Sequence, residues 1–235
     1  MTATTPQLPS DCLEDIFEYL RNDRSSLFSC LLVNRLWCRL VIHLIWSDPF
    51  AINSNKTSLP NIIQTYISCL PDTSKQLIVG KFSNLEEGEL EGNKESNEKV
   101  VDRDFMKLNF QQPLFIYPKY LQNLDLENFS KALRIWHERY DKSFNETIPN
   151  FTISKLLIDF IFEKCSSLTK LNIHIWDKWD IPLNEMNFNL LFDRENGRNA
   201  LFNLKHLKFT FLAKGKSDGL TDSHQIILKL FLLLI

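Results

Sequence analysis

Glycine is scarce in this chain: 6 of 235 residues, against 18 phenylalanines. So few glycines disfavour glycine-rich phosphate loops and tight all-β designs, which rely on backbone at positive φ or in close approach to a ligand. An excess of either charge sign is missing too, with 27 basic and 29 acidic residues and a formal net charge of −2. Without a basic excess there is no electrostatic footprint for nucleic acid, whose binding is dominated by phosphate neutralisation. A bilayer-spanning helix needs roughly 20 apolar residues. The longest apolar run, residues 226–235, is shorter and is broken by Lys229, so no membrane partner is expected.

Catalytic and metal signatures are also lacking. Gly215-Lys216-Ser217 resembles the end of a phosphate-binding loop, but Thr210 stands where that loop needs its first glycine. There is no G-x-S-x-G elbow, and His43, His137, His174, His206 and His224 show neither H-E-x-x-H nor a zinc spacing with cysteine. No catalytic residue, metal or cofactor is therefore expected, and the chain reads as a non-enzyme. The five cysteines (Cys12, Cys30, Cys38, Cys69 and Cys165) form no C-x-x-C pair, and residues 1–10 carry neither the basic flank nor the apolar stretch of a secretory signal. Reduced thiols and a cytoplasmic or nuclear location are expected. The sequons at Asn55, Asn128, Asn145 and Asn150 then carry no meaning. Cys30 and Cys38 are expected to be buried and inert.

What is present is ordinary globular composition, 44% hydrophobic and 24% charged, in a chain long enough to bury a core without staples. Residues 7–47 predict three short helices. Leu13, Ile16, Phe17 and Leu20 fall at i, i+3, i+4 and i+7 on one face. Asp11 followed by Glu14 suggests a capping box. A second helix from Ser25 or Ser26 carries Leu27, Cys30, Leu31 and Val33. A third, from about Asn34 to Ile45, has two apolar rows: Trp37, Val41 and Ile45, then Leu36, Leu40 and Leu44. A unit this small cannot bury so much apolar surface itself, so a partner or the following domain must cover the third helix.

The ordered series Leu8-Pro9, Leu13, Ile16-Phe17, Leu20, Val33-Asn34-Arg35-Leu36-Trp37, Leu40 and Trp46 resembles an F-box. The match spans residues 1–48; Asn34 departs from it, where the family more often has Cys or Ser. The resemblance implies binding to the Skp-family linker subunit of a cullin-RING ubiquitin ligase and, through it, to cullin and RING subunits. Leu8, Pro9, Ile16, Phe17, Leu20, Val33, Trp37 and Leu40 are the expected linker-binding residues, some of which must instead hold the helices together.

Residues 49–85 read as a connecting segment, with a helix from Pro60 to Leu70 ended by Pro71 and a strand around Leu77-Ile78-Val79. Residues 86–104, rich in acids and without aromatics, read as a disordered loop. In residues 105–235 three segments share the pattern L-x-x-L-x-(L/I/F): Leu121 to Leu126, Leu168 to Ile173 and Leu204 to Phe209. This is the leucine-rich-repeat strand signature. Its starts lie 47 and 36 residues apart, longer than the usual spacing of about 20–29, with helices over Lys131–Asp141 and Ser154–Cys165 between. The residues between the apolar ones should face outward: Asn123, Asp125 and Glu127; Lys170, Asn172 and His174; His206, Lys208 and Thr210. They run from acidic to basic and are the expected target-binding face. The Trp176-Asp177-Lys178-Trp179-Asp180 cluster is either a recognition loop or packed on the core.

The expected fold is α+β: an N-terminal three-helix F-box followed by an irregular α/β leucine-rich-repeat-like solenoid. The apolar C-terminus, with no polar cap, suggests truncation. The expected role is substrate receptor in an SCF-type ligase, delivering a target protein for proteasomal degradation. Two alternatives stay open, an F-box scaffold acting outside a ligase and a small enzyme within residues 100–235.

Overall fold

The computed structural model describes residues 8–51, 58–78, 112–140, 151–175 and 203–211. The acidic stretch, the Trp176–Asp180 cluster, the Gly215-Lys216-Ser217 sequence and the apolar C-terminus lie outside these residues. The architecture is α+β: helices α1 (Ser10–Tyr19), α2 (Arg24–Leu31), α3 (Arg35–Trp46), α4 (Leu59–Cys69) and α5 (residues 72–78), then a 3-10 turn (Tyr117–Tyr120), strand β1 (Asn123–Asp125), α6 (Leu126–Tyr140), α7 (Phe151–Lys164), β2 (Lys170–Ile175) and β3 (His206–Phe211).

The first three helices follow the apolar spacing closely. Asp23 caps α2 by accepting from the Ser26 amide, and Asn34 caps α3 by accepting from the Trp37 amide at 2.9 Å. The capping box expected for α1 is absent. Pro9 occupies the cap position and no side chain bonds there. Leu13 and Phe17 of α1, Leu27 of α2 and Val41, Leu44 and Ile45 of α3 close a small core. The Phe17 and Trp37 rings pack T-shaped with centroids 5.1 Å apart, a contact worth about 1 kcal/mol beyond area burial. Cys30 and Cys38 are half-buried, not buried as the sequence suggested.

A second, larger core lies between the sheet and the later helices. Ile63, Tyr66 and Ile67 of α4, Phe129 and Trp136 of α6, and Leu157 and Ile161 of α7 pack on Leu124, Leu171 and Ile173 of the strands. Residues Leu77 and Ile78, expected in a strand, lie in α5 instead. Ile78 enters the large core while Leu77 stays 58% exposed. A Leu-Ile-Val run does not distinguish strand from helix by periodicity, and packing decided it. Helix α6 starts at Leu126, five residues earlier than expected, so Leu126 and Glu127 belong to its first turn and not to a strand.

The three strands form one parallel sheet in the order β1-β2-β3. The shared motifs stand in register: Asn123 beside Lys170 and Lys170 beside His206, Leu124 beside Leu171 and Leu171 beside Leu207. At the entrance to each strand the same hydrogen-bond pattern recurs. The Gln122 carbonyl accepts from the amides of Thr169 and Lys170, and the Thr169 carbonyl accepts from those of Lys205 and His206. The Ser47 carbonyl, one residue past α3, accepts from Gln122 and Asn123 in the same way. The end of the three-helix unit thus occupies the place of a preceding rung. Trp46 touches both cores and packs on Tyr66 and Tyr117. The following domain covers the end of α3 at Trp46, while Leu36 at its start stays exposed.

Candidate functional site

Large apolar side chains exposed to solvent concentrate on the N-terminal unit. Leu8, Ile16, Tyr19, Phe28, Leu32, Val33 and Leu36 are all exposed; elsewhere among the described residues only Leu77, Leu114 and Ile116 are. A concentration of this kind marks a surface made to be covered. It forms because α1 and α2 spend their buried positions on a small core, and because Leu32 and Val33 fall after the last residue of α2.

The expected linker-binding residues separate by burial. Leu8, Pro9, Ile16 and Val33 are exposed, and Leu20, Trp37 and Leu40 are half-buried against the small core. Phe17 is 1% exposed and is one of those that hold the helices together: its ring joins α1 to α3. The sequence reading missed Tyr19, Phe28, Leu32 and Leu36. Tyr19 (92% exposed) and Leu32 (88%) are the most open of the apolar side chains. For Tyr19 and Phe28 the signal was present as large apolar residues lying off the buried row of their helices.

The outward face of the sheet is the second candidate surface. Lys170, His206 and Lys208 are exposed, whereas Asp125, Glu127, Asn172 and His174 are half-buried and bound to one another. The Asn172 amide donates to Asp125 Oδ2 at 3.0 Å, and the Asn128 backbone amide donates to Asp125 Oδ1 at 3.1 Å. His174 Nε2 lies 3.3 Å from Asp125 Oδ2, and its Nδ1 lies 3.5 Å from Glu127 Oε2. Burial is the largest influence on Asp125 and acts to raise its pKa. The donors Asn172, Asn128 and His174 outweigh it and hold the carboxyl below its ordinary value. Glu127 reaches this group from the first turn of α6, not from a strand position as expected.

Between the two surfaces lies the seam. The Asn123 side-chain amide donates to Asp48 Oδ2 at 3.2 Å, and Arg24 donates to the carbonyls of Asp48 and Ile45 at 3.0 and 3.1 Å. Burial raises the Asp48 pKa against the opposing pull of Asn123 and Arg24. The buried thiol of Cys165 donates to the Leu121 carbonyl and is pushed up to about 11 by burial, so it is no nucleophile. No helix among the described residues is long and apolar enough to cross a membrane.

Residues 5–51 match the F-box-like family, about a fifth of the chain. No curated protein and no solved structure matches it.

Proposed function

The chain carries an N-terminal F-box-like domain, and from that premise we propose that it is the substrate-receptor subunit of an SCF-type cullin-RING ubiquitin ligase. One observation carries the reading: the F-box-like residues are also where the exposed apolar side chains gather. Leu8, Pro9, Ile16, Val33 and the neighbouring Tyr19, Leu32 and Leu36 meet the Skp-family linker, which brings cullin and RING subunits. The chain supplies no chemistry of its own. Holding a target beside a ubiquitin-loaded enzyme raises effective concentration and makes transfer nearly intramolecular. The reading places the chain in the cytoplasm or nucleus.

The target arm is the outward face of the sheet, leucine-rich-repeat-like in form. Three L-x-x-L-x-(L/I/F) segments paired in parallel and in register support it. Asp125, Glu127, Asn172 and His174 make its acidic side, and Lys170, His206 and Lys208 its basic side. A target of complementary polarity is selected there, for proteasomal degradation.

The full chain is mixed with a recombinant Skp-family linker and followed by calorimetry. A one-to-one complex is expected. Leu8→Ala with Pro9→Ala, and separately Val33→Glu, should weaken it at least about tenfold, the effect of removing interface anchors of 1.4 kcal/mol or more. No complex with a chain whose circular dichroism shows folded helices overturns the reading. In a reconstituted ligase, co-purified proteins should become ubiquitylated. Linker binding without ubiquitylation would move the assignment to a scaffold outside a ligase.

A further inference from the structure

Positive charge without a carboxylate partner gathers at one corner of the sheet. The lysines of α5, α6 and α7 are all paired: Lys75 with Asp72, Lys131 with Glu127, Lys155 with Asp159 and Lys164 with Glu163. Lys170, Lys205 and Lys208 are exposed and form no ion pair among the described residues. Lys170 acts on Asp48 only at longer range, where it pulls that carboxyl down against burial.

The register of β2 and β3 brings these bases together. Lys170 is the partner of His206, and Asn172 is the partner of Lys208. Lys170, Asn172 and His174 alternate with the buried Leu171 and Ile173, so they and their partners share the outward face. Neighbouring strands lie about 4.8 Å apart, and alternate residues of one strand about 6.6 Å. Lys170, His206 and Lys208 therefore border a single patch, with Lys205 at its entrance. An imidazole offers an N–H in either charge state, so His206 adds a donor.

The acids of the same face do not neutralise this patch. Asp125 accepts from the Asn172 side chain and the Asn128 amide. Glu127 pairs with Lys131 and approaches His174. The bases are left open to an anion from outside.

We propose that an extended acidic segment of the target lies along β3 on the outward face. Its carboxylates stand at alternate residues, one at Lys170 and His206 and the next at Lys208. An extended peptide repeats its side chains at the same interval as β3, so the two sets match. Asp125 and Glu127 repel acids from the β1 side and confine them to this corner. The inference rests on the assignment of the sheet face to the target and adds the chemistry that face selects.

A displayed library of random peptides is selected on the full chain at low salt. Asp or Glu should be enriched at alternate positions. A synthetic peptide of the enriched sequence is then titrated by fluorescence anisotropy. Lys208→Glu should weaken it at least about tenfold, because like charges brought together oppose binding. Added salt should weaken it as well. Arg134→Glu, the same change of charge on α6, should leave the affinity unchanged. Lys208 is exposed, and circular dichroism checks that its variant keeps the fold. Selected sequences without acids, whose binding Lys208→Glu alters, overturn the acidic segment and leave the face as the target arm. Sequences whose binding Lys208→Glu does not alter overturn both, as does a library that yields none.

Discussion

Asn34 shows how one side chain earns its place. It departs from the residue types usual at that point of the F-box, yet its oxygen accepts the Trp37 amide and satisfies a helix end. Asn is among the strongest N-caps, and Ser is nearly its equal. Asn34→Ala should lower stability by about 1 kcal/mol in urea denaturation, and Asn34→Ser should restore most of it. An Ala variant as stable as the parent would show that α3 is held by packing alone. Asp48 makes a pH-dependent prediction. Burial raises its pKa in the folded state, so folding favours the protonated form. Stability therefore falls as pH rises from the unfolded to the folded value, and the full cost is present above both. Asp48→Asn keeps an oxygen for the Asn123 amide and removes the charge. It should gain stability near neutral pH and nothing below the carboxylate range. A pH-independent difference in melting temperature would count against this account.

At the scale of the element, apolar period made most helices legible. Residues 10–19, 35–46 and 59–69 were readable because their buried residues recur at three and four. The helical state of residues 72–78 was not readable, since a Leu-Ile-Val run suits a strand equally well and only contact with the large core selected helix. The sorting of the expected linker-binding residues was half legible: the motif named them as a set, but which ones the small core consumes depends on how α1 crosses α3. Phe17 is consumed. Phe17→Ala should cost about 3–5 kcal/mol, the usual penalty for a large aromatic in a core. Denaturation should show it as loss of the three-helix unit, with linker affinity falling only as far as the folded fraction does. A stable Phe17→Ala chain with weakened linker binding would return that ring to the surface.

For the whole molecule, the F-box-like domain is built into the sheet that follows it. Ser47 hydrogen-bonds as a rung, Asp48 binds Asn123, and Trp46 and Phe50 contribute to the large core. Such a joint couples the three-helix unit to the sheet through backbone, side-chain and core contacts, as the proposed receptor role requires. Amide hydrogen exchange tests the coupling. The last turn of α3 should exchange at least about tenfold more slowly in the full chain than in residues 1–50, where Trp46 has lost Tyr66 and Tyr117. Equal protection would mean that the three helices stand alone.

The sequence by itself determined the helices of the N-terminal unit, the family they resemble and the three strand motifs, because those signals repeat within a few residues and follow from local geometry. Tertiary structure decided which apolar residues remain outside the core, that Ser47 serves the sheet, and that Asp125 and Glu127 meet His174. These are relations between segments far apart in the chain: Asp125 and His174 are 49 residues apart. Strand register and core packing, not residue spacing, bring such partners within bonding distance.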